Sequence, residues 1–418
     1  MYSSKIAGKI RSQILRFSGE VSSGLCKTSR RFVAEALYGI QARQSVLLSE
    51  IGRSLHEEIP LKKTETRLSN QLGRRGLREQ VVQNLQRKAA DRIGEDTLLI
   101  MDLSDINKPY ARHMEHLAQV WDGSRQQVGM GYWTVQVIGA ELEEVHMTPL
   151  TCHLYSQRAP GFVSENEEVL GMIRNVSRAT RGRGIYVWDR GGDREKLYHP
   201  LLDRGLRFII RTRGDRHVIY RGKALRARDV GERCVMRYAE RVVREKDGKE
   251  KIDHVEYGFR KVRLPGRPEW LYLVVVRGLG AKPMLLLTNV VVKKSRRSCF
   301  FVVHAYWKRW QVEETIRCMK QSYDLENIRL LTYKRLQSMM ALVLCAMYFA
   351  AVHLGDTLRL DILAHHALQA AKRLYGIPDF RYYALADGIK WLLEGFTKPF
   401  LSNKHRWFSS MQMNLFDP

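Results

Sequence analysis

At 418 residues and 44% apolar content, the chain is long enough for two or three buried cores, which excludes a disordered or fibrous protein. Its 70 Lys and Arg against 44 Asp and Glu leave a formal charge of +26, a field that attracts polyanions and makes nucleic acid the expected partner. The charge comes in blocks, with 18 basic and 9 acidic residues in 1–95 and 22 basic and 10 acidic residues in 215–297.

Residues 1–95 read as a helical domain. "SVLLSEIGRSL" sets Leu47, Leu48, Ile51 and Leu55 on one face; after "EEIP", "LKKTETRLSNQLGRR" sets Leu61, Leu68 and Leu72 among Lys62, Lys63, Arg67, Arg74 and Arg75. Two short amphipathic helices with a basic second member can form a helix-turn-helix DNA reader. An ordinary helical bundle with a solvated basic face accounts for the pattern equally well.

From residue 96 the period changes. "TLLIMD" is a short apolar run ending in Asp102, "GYWTVQVIGAEL" and "VHMTPLTCHLYS" alternate like antiparallel strands, and 165–182 reads as a helix closed by Gly182. "IYVWD" is a second apolar run ending in an acid, Asp189, and a helix at "REKLYHPLLDRG" and a strand at "RFIIRT" follow. This is the element order of a mixed α/β sheet of ribonuclease-H-like type. Residues 215–297 form a basic, β-leaning insertion with clear strands at "WLYLVVVRG" and "MLLLTNVVV"; 298–395 are mostly helical and 396–418 form a polar tail. The catalytic domain is therefore expected over 96–214 and 298–395.

An acid directly after an apolar strand sits at the carboxyl edge of a sheet, where strand ends converge on one crevice. Asp102 and Asp189 could meet there, and two close carboxylates call for a cation, Mg²⁺ or Mn²⁺ by their preference for oxygen ligands. Turn-forming aspartates are the plainer reading of each, and Asp105, Asp122, Asp193 and Asp203 compete for the two positions.

The stretch "YWKRWQVEETIRCMK" reads as one helix. At about 100° per residue, Tyr306, Arg309, Glu313 and Lys320 share a sector about 60° wide, beside an apolar stripe of Val312, Ile316, Met319 and Tyr323. A surface ion-pair ladder of Arg309, Glu313 and Arg317 would explain the charges. With two candidate acids upstream, the functional reading makes Glu313 a third metal ligand and gives Tyr306, Arg309 and Lys320 to phosphates.

The spacing of Tyr306, Arg309, Glu313 and Lys320 resembles the YREK signature of cut-and-paste DDE transposases from bacterial insertion sequences. "YWKRWQVEE" is similar to that family's wording around its catalytic Glu, with Val312 where Ile is usual. "LLIMDLSDINKP", "YVWDRGGDR", "WDGS…GMGYW" and "RFIIRTR" resemble its two Asp contexts and intervening strands, so the likeness covers roughly 95–335. It implies a ribonuclease-H-like domain interrupted by a β-rich insertion, with two Mg²⁺ or Mn²⁺ ions held by Asp102, Asp189 and Glu313. The implied activity is cleavage at transposon ends through hairpins, and joining to target DNA by a homodimer in a synaptic complex. It also implies a base-stacking aromatic in the insertion, for which Trp270 is the candidate and a core tryptophan the plainer reading. A DNA-binding protein without catalysis, such as a domesticated copy or an inhibitor, and a different two-metal nuclease are the rival readings.

The tail "QMNLF" is similar to peptides that dock on the bacterial sliding clamp, through Gln412, Leu415 and Phe416. The six cysteines are scattered without a CxxC pair, which fits a reducing cytosol. The apolar run from 339 to 352 falls short of the roughly 20 residues of a membrane span. A bacterial cytoplasmic, nucleoid-associated protein with no membrane contact is expected.

Overall fold

The computed structural model describes residues 2–401 apart from 124, 145, 247–248, 356–364, 369–381 and 396–397. It divides into two compact units, Met1–Asn84 with Cys318–Pro418, and Leu85–Arg317.

In the first unit, α1 (Tyr2–Val21), α2 (Lys27–Arg43), α3 (Leu48–Ser54) and α4 (Leu61–Leu72) pack with α11 (Tyr333–Ala351) and α12 (Tyr382–Glu394). The central helix is α2, buried continuously from Phe32 to Ala42, where Gln41 Nε2 donates to the Ala346 carbonyl at 2.8 Å. The apolar run from 339 to 352 is buried in α11 and the turn after it. No helix among the described residues is long and apolar enough to cross a membrane. The α3–α4 contact is close because Gly52 lacks a Cβ, which would lie 2.9 Å from Leu61 Cδ1 and 3.3 Å from Thr64 Cγ2.

Arg67 turns inward. It pairs with Glu35 and, at 2.7 Å, with Glu57, while Arg31 meets the same two acids at 2.6 and 3.0 Å. Glu35 is buried, so these guanidinium groups supply the compensation that a desolvated carboxylate requires.

In the second unit the strands β1 (Leu98–Asn107), β2 (Ala118–Asp122), β3 (Gln127–Ala140), β4 (Met147–Tyr155), β5 (Ile185–Trp188) and β6 (Arg207–Arg211) begin a ten-stranded sheet. Helices α6 (Glu165–Thr180) and α7 (Glu195–Asp203) join the later ones. β1, β5 and β6 run parallel, β3 is antiparallel to β1, and β4 continues outward from β3. Ser164 caps α6 by accepting the Glu167 N–H, and Arg181 and Gly182 end it in left-handed conformation.

Residues 215–297 hold more structure than their two apolar runs suggest. A separate hairpin, β7 (His217–Tyr220) with β8 (Lys223–Arg226), and a short helix α8 (Ala227–Glu232) precede β9 (Tyr238–Lys246), β10 (Lys249–Val262), β11 (Leu271–Arg277) and β12 (Met284–Thr288). The last four extend the main sheet, since β12 pairs with β6 and the order runs outward through β11 and β10 to β9. Then α9 (Arg296–Lys308) packs against β5, β6, β10 and β11 and returns the chain to the middle of the sheet.

Candidate active site

Asp189 follows β5 directly, as an acid at a strand end should. Its Oδ1 accepts the Gly191 N–H at 2.7 Å and so caps the tight turn Arg190–Gly192. Gly192 lets that turn fold against Trp188, because a Cβ there would lie 2.8 Å from the indole.

Asp102 is not at a strand end, in contrast to the expectation. β1 continues to Asn107, held by its antiparallel ladder with β3, in which Asp102 faces Gln136. What ends near Asp102 is the parallel pairing with β5, whose register runs from Leu98–Ile185 to Ile100–Val187. Carried two residues further, that register brings Asp102 level with Asp189.

The third acid arrives from the helices. The stretch expected as one helix is two, α9 and α10 (Trp310–Ser322), meeting at Arg309. The break is slight, because Arg309 keeps right-handed helical angles while the bonds Arg309 N–H to Tyr306 O and Val312 N–H to Arg309 O, both 3.1 Å, tighten the turn. Tyr306 is buried on α9, with the Arg309 guanidinium 5.9 Å from its ring centre. Arg309 Nη2 lies 2.5 Å from Glu313 Oε1, and Nη1 lies 3.7 Å from Asp102 Oδ2. Arg317 pairs instead with the buried Glu314 at 2.7 Å, so the ion-pair ladder that was the alternative reading stops after one rung. Lys320, further along α10 and within the other compact unit, pairs with Glu326 at 2.9 Å.

Electrostatics links the three acids. The Asp102 carboxyl is pushed up to about 7, first by burial and then by the negative charge of Asp189; Arg309 pulls it back, and Glu313 adds to the rise. Burial opposes the charge on Arg309, but Glu313, Tyr306 and Asp102 outweigh it and hold its pKa above the ordinary value. The competing acids are engaged elsewhere. Asp122 accepts from Asn107 at 2.6 Å, Asp193 is held by Arg216 at 2.8 Å and the Arg213 N–H at 2.7 Å, and Asp203 pairs with Arg267 at 2.7 Å. Asp105 is buried further along β1.

Three carboxylates suit a hard divalent cation, and the partly buried Asp102 carboxyl, pushed up to about 7, meets more neighbouring negative charge than Arg309 offsets. Among the described residues no three His, Cys, Asp or Glu side chains are gathered closely enough to hold one ion, and Arg309 supplies the cation between Asp102 and Glu313.

Residues 145–349 match the family model of the transposase DDE domain. The matched domain takes in Asp189, Tyr306, Arg309, Glu313 and Lys320, and Asp102 lies upstream of it. No curated protein matches the chain. The match supports a transposase role, with DNA as partner and a divalent metal ion as the cofactor that such enzymes generally use.

Trp270 lies just before β11 and is about half exposed. Arg263 stands over its ring at 3.9 Å and Lys261 at 4.5 Å. Gln412, Leu415 and Phe416 lie outside the described residues.

Proposed function

We propose that the chain is a DNA transposase of the insertion-sequence type, whose reaction centre is Asp102, Asp189 and Glu313. The observation that carries the proposal is the link between these acids: Arg309 spans Glu313 and Asp102, and the leading negative charges that raise the Asp102 carboxyl are those of Asp189 and Glu313. The strand order β4-β3-β1-β5-β6, with β1, β5 and β6 parallel, supports a ribonuclease-H-like reading of the sheet. Asp102 lies on β1 and Asp189 directly follows the adjacent β5, while Arg309 links Asp102 to Glu313 of α10, which supports assigning the three acids to one centre.

The three carboxylates would hold Mg²⁺ or Mn²⁺, two ions in the expected arrangement, which when bound supply Lewis-acid activation of the attacking and leaving oxygens. The protein's own groups do the rest. Arg309, which pairs with Glu313 here, would have its guanidinium free to offer paired donors to a phosphate when the acids hold a metal ion. Tyr306 backs that guanidinium. Lys320 is assigned to a more distant phosphate. The attacked phosphorus would first accept water and lose the 3′-oxygen, which leaves with a proton as a 3′-hydroxyl. That hydroxyl would attack the opposite strand's phosphodiester to close the hairpin and expel the flanking strand's 3′-hydroxyl. A second water would reopen the hairpin and free the 3′-hydroxyl again, and this would attack a target phosphodiester and displace a target 3′-hydroxyl.

Residues 1–95 are assigned to transposon-end binding and 215–297 to the hairpin step. The half-exposed Trp270, with Arg263 and Lys261 over its ring, is assigned to stacking on an unpaired base, which would take the place of one of these cations. The tail through Gln412, Leu415 and Phe416 is assigned to the sliding clamp, and clamp affinity unchanged on deleting residues 412–418 removes that part. Joining separates a transposase from a plain nuclease. Purified protein given pre-cleaved ends with free 3′-hydroxyls and a supercoiled target should yield joined products, and cutting without joining would favour the nuclease.

A further inference from the structure

Gln136 lies in the middle of β3, directly opposite Asp102 of β1 in the antiparallel ladder. Partners in such a pair carry their side chains on the same face of the sheet, with Cβ atoms about 5 Å apart. Gln136 therefore stands beside Asp102 on the face where Arg309 reaches the Asp102 carboxylate. It is only 3% exposed, and among the described residues its amide has no hydrogen-bond partner. The next residues of β3 on that face are different: Ile138 is apolar, and Thr134 donates its hydroxyl to the Ser104 carbonyl at 3.2 Å. Cys152, level with Gln136 on β4, offers a weak partner, because burial pushes its thiol up to about 12 and keeps it protonated. An amide buried without a partner destabilises a fold, and a β-branched apolar residue would suit the position better. We infer that Gln136 is a further catalytic side chain, whose amide holds the attacking water against the phosphorus at the centre formed by Asp102, Asp189 and Glu313.

A neutral amide suits this task. Its carbonyl accepts from one O–H of the water while its N–H donates to a neighbouring oxygen, which fixes the orientation of the water, as glutamine amides do in other phosphoryl-transfer sites. A carboxylate in its place would add a fourth negative charge to the three acids, and a cation would compete with the metal ion. In the nicking step the water oxygen bonds to phosphorus, the bond from phosphorus to the 3′-oxygen breaks, and one water proton ends on that departing oxygen. The amide gains and loses no proton. A 3′-hydroxyl is carried into place by its own strand, whereas a water molecule has no such handle. Gln136 therefore serves the two hydrolytic steps, nicking and hairpin opening, more than the two steps in which a 3′-hydroxyl attacks.

The inference rests on the proposed reaction centre, and the two fail separately. Full-length wild type and Gln136→Leu are given Mg²⁺ and either end-labelled DNA with intact termini, to follow nicking, or pre-cleaved ends with a supercoiled target, to follow joining. Nicking by Gln136→Leu should be about a hundredfold slower, and the ratio of nicking to joining rates should fall by about tenfold or more. Its melting temperature should equal or exceed that of the wild type, since an apolar group of similar size replaces a buried amide without a partner. Gln136→Met, which keeps the length of the side chain, should behave alike. Nicking at the wild-type rate, an equal loss of nicking and joining, or a lowered melting temperature in both variants overturns the assignment of Gln136 to the attacking water. Wild type that neither nicks nor joins overturns the reaction centre itself, and the role of Gln136 with it.

Discussion

Arg309 binds Glu313 at 2.5 Å and reaches Asp102 at 3.7 Å, so one guanidinium spans the two carboxylates that approach from helix and sheet. Its side chain is only 13% exposed, which makes the positive charge effective. In the proposed mechanism the same group has two successive tasks, holding the acids together before a metal ion binds and meeting phosphate afterwards.

Removing it should show both. Arg309→Ala leaves Glu313 and Asp102 without their cation, and in EDTA the variant should lose about 2–3 kcal/mol of stability. Mn²⁺ should restore more melting temperature in the variant than it adds to the wild type. Equal metal-induced shifts in the two proteins would show that Arg309 does not hold the metal ligands.

Asp102 makes stability depend on pH with an unusual sign. Its carboxyl titrates near 7 in the folded chain against 3.8 as its ordinary value, so the folded state binds more protons between those limits. The folded state is therefore penalised as pH rises through that window, by an amount on the order of a few kcal/mol at the top of it. Metal-free protein should lose melting temperature from pH 4 to 7 in part through this group, and Asp102→Asn should flatten that part of the profile. Mg²⁺ should stabilise more at pH 7.5 than at pH 5. A wild-type profile identical to that of Asp102→Asn would contradict the coupling.

How much of this was legible in the sequence differs from residue to residue. Asp189 could be read because four apolar residues precede it and Arg-Gly-Gly follows, a strand and then a turn. Asp102 could be picked out but not placed: "DLSDIN" has the composition of a turn, and only the ladder with β3 keeps it extended. The joint at Arg309 leaves no mark, since it changes hydrogen-bond spacing without proline or glycine. β9 and β10 were hidden by their charges, although Asp253, Val255 and Tyr257 are buried and Ile252, His254 and Glu256 exposed, a period of two. The inward turn of Arg67 depends on Glu35, a partner on another helix that no local pattern indicates.

That partner supports a stability test. Glu35 is almost wholly buried whereas Arg31 and Arg67 are partly solvated, so Glu35→Gln should cost less than a fully buried pair, about 2–3 kcal/mol in urea unfolding. Arg67→Met should destabilise in the same direction by leaving Glu35 short of a cation. A neutral outcome for both would mean that the cluster does not hold α4 in place.

Trp270 tests the assignment of the insertion. Trp270→Ala should leave first-strand nicking intact and slow hairpin formation and resolution about tenfold, as expected for the loss of one stacked base. Normal hairpin kinetics would return Trp270 to an ordinary surface role beside Arg263 and Lys261.

The most direct measurement is cleavage of end-labelled DNA carrying the element's own termini by wild type and Glu313→Gln, with Mg²⁺ and with EDTA. The expected result is metal-dependent 3′-hydroxyl or hairpin ends from the wild type, their loss by about a thousandfold or more in the variant, and DNA binding retained in both. Wild-type protein that binds the ends and never cuts, or a Glu313→Gln variant that cuts as fast as the wild type, would contradict a reaction centre built on Asp102, Asp189 and Glu313.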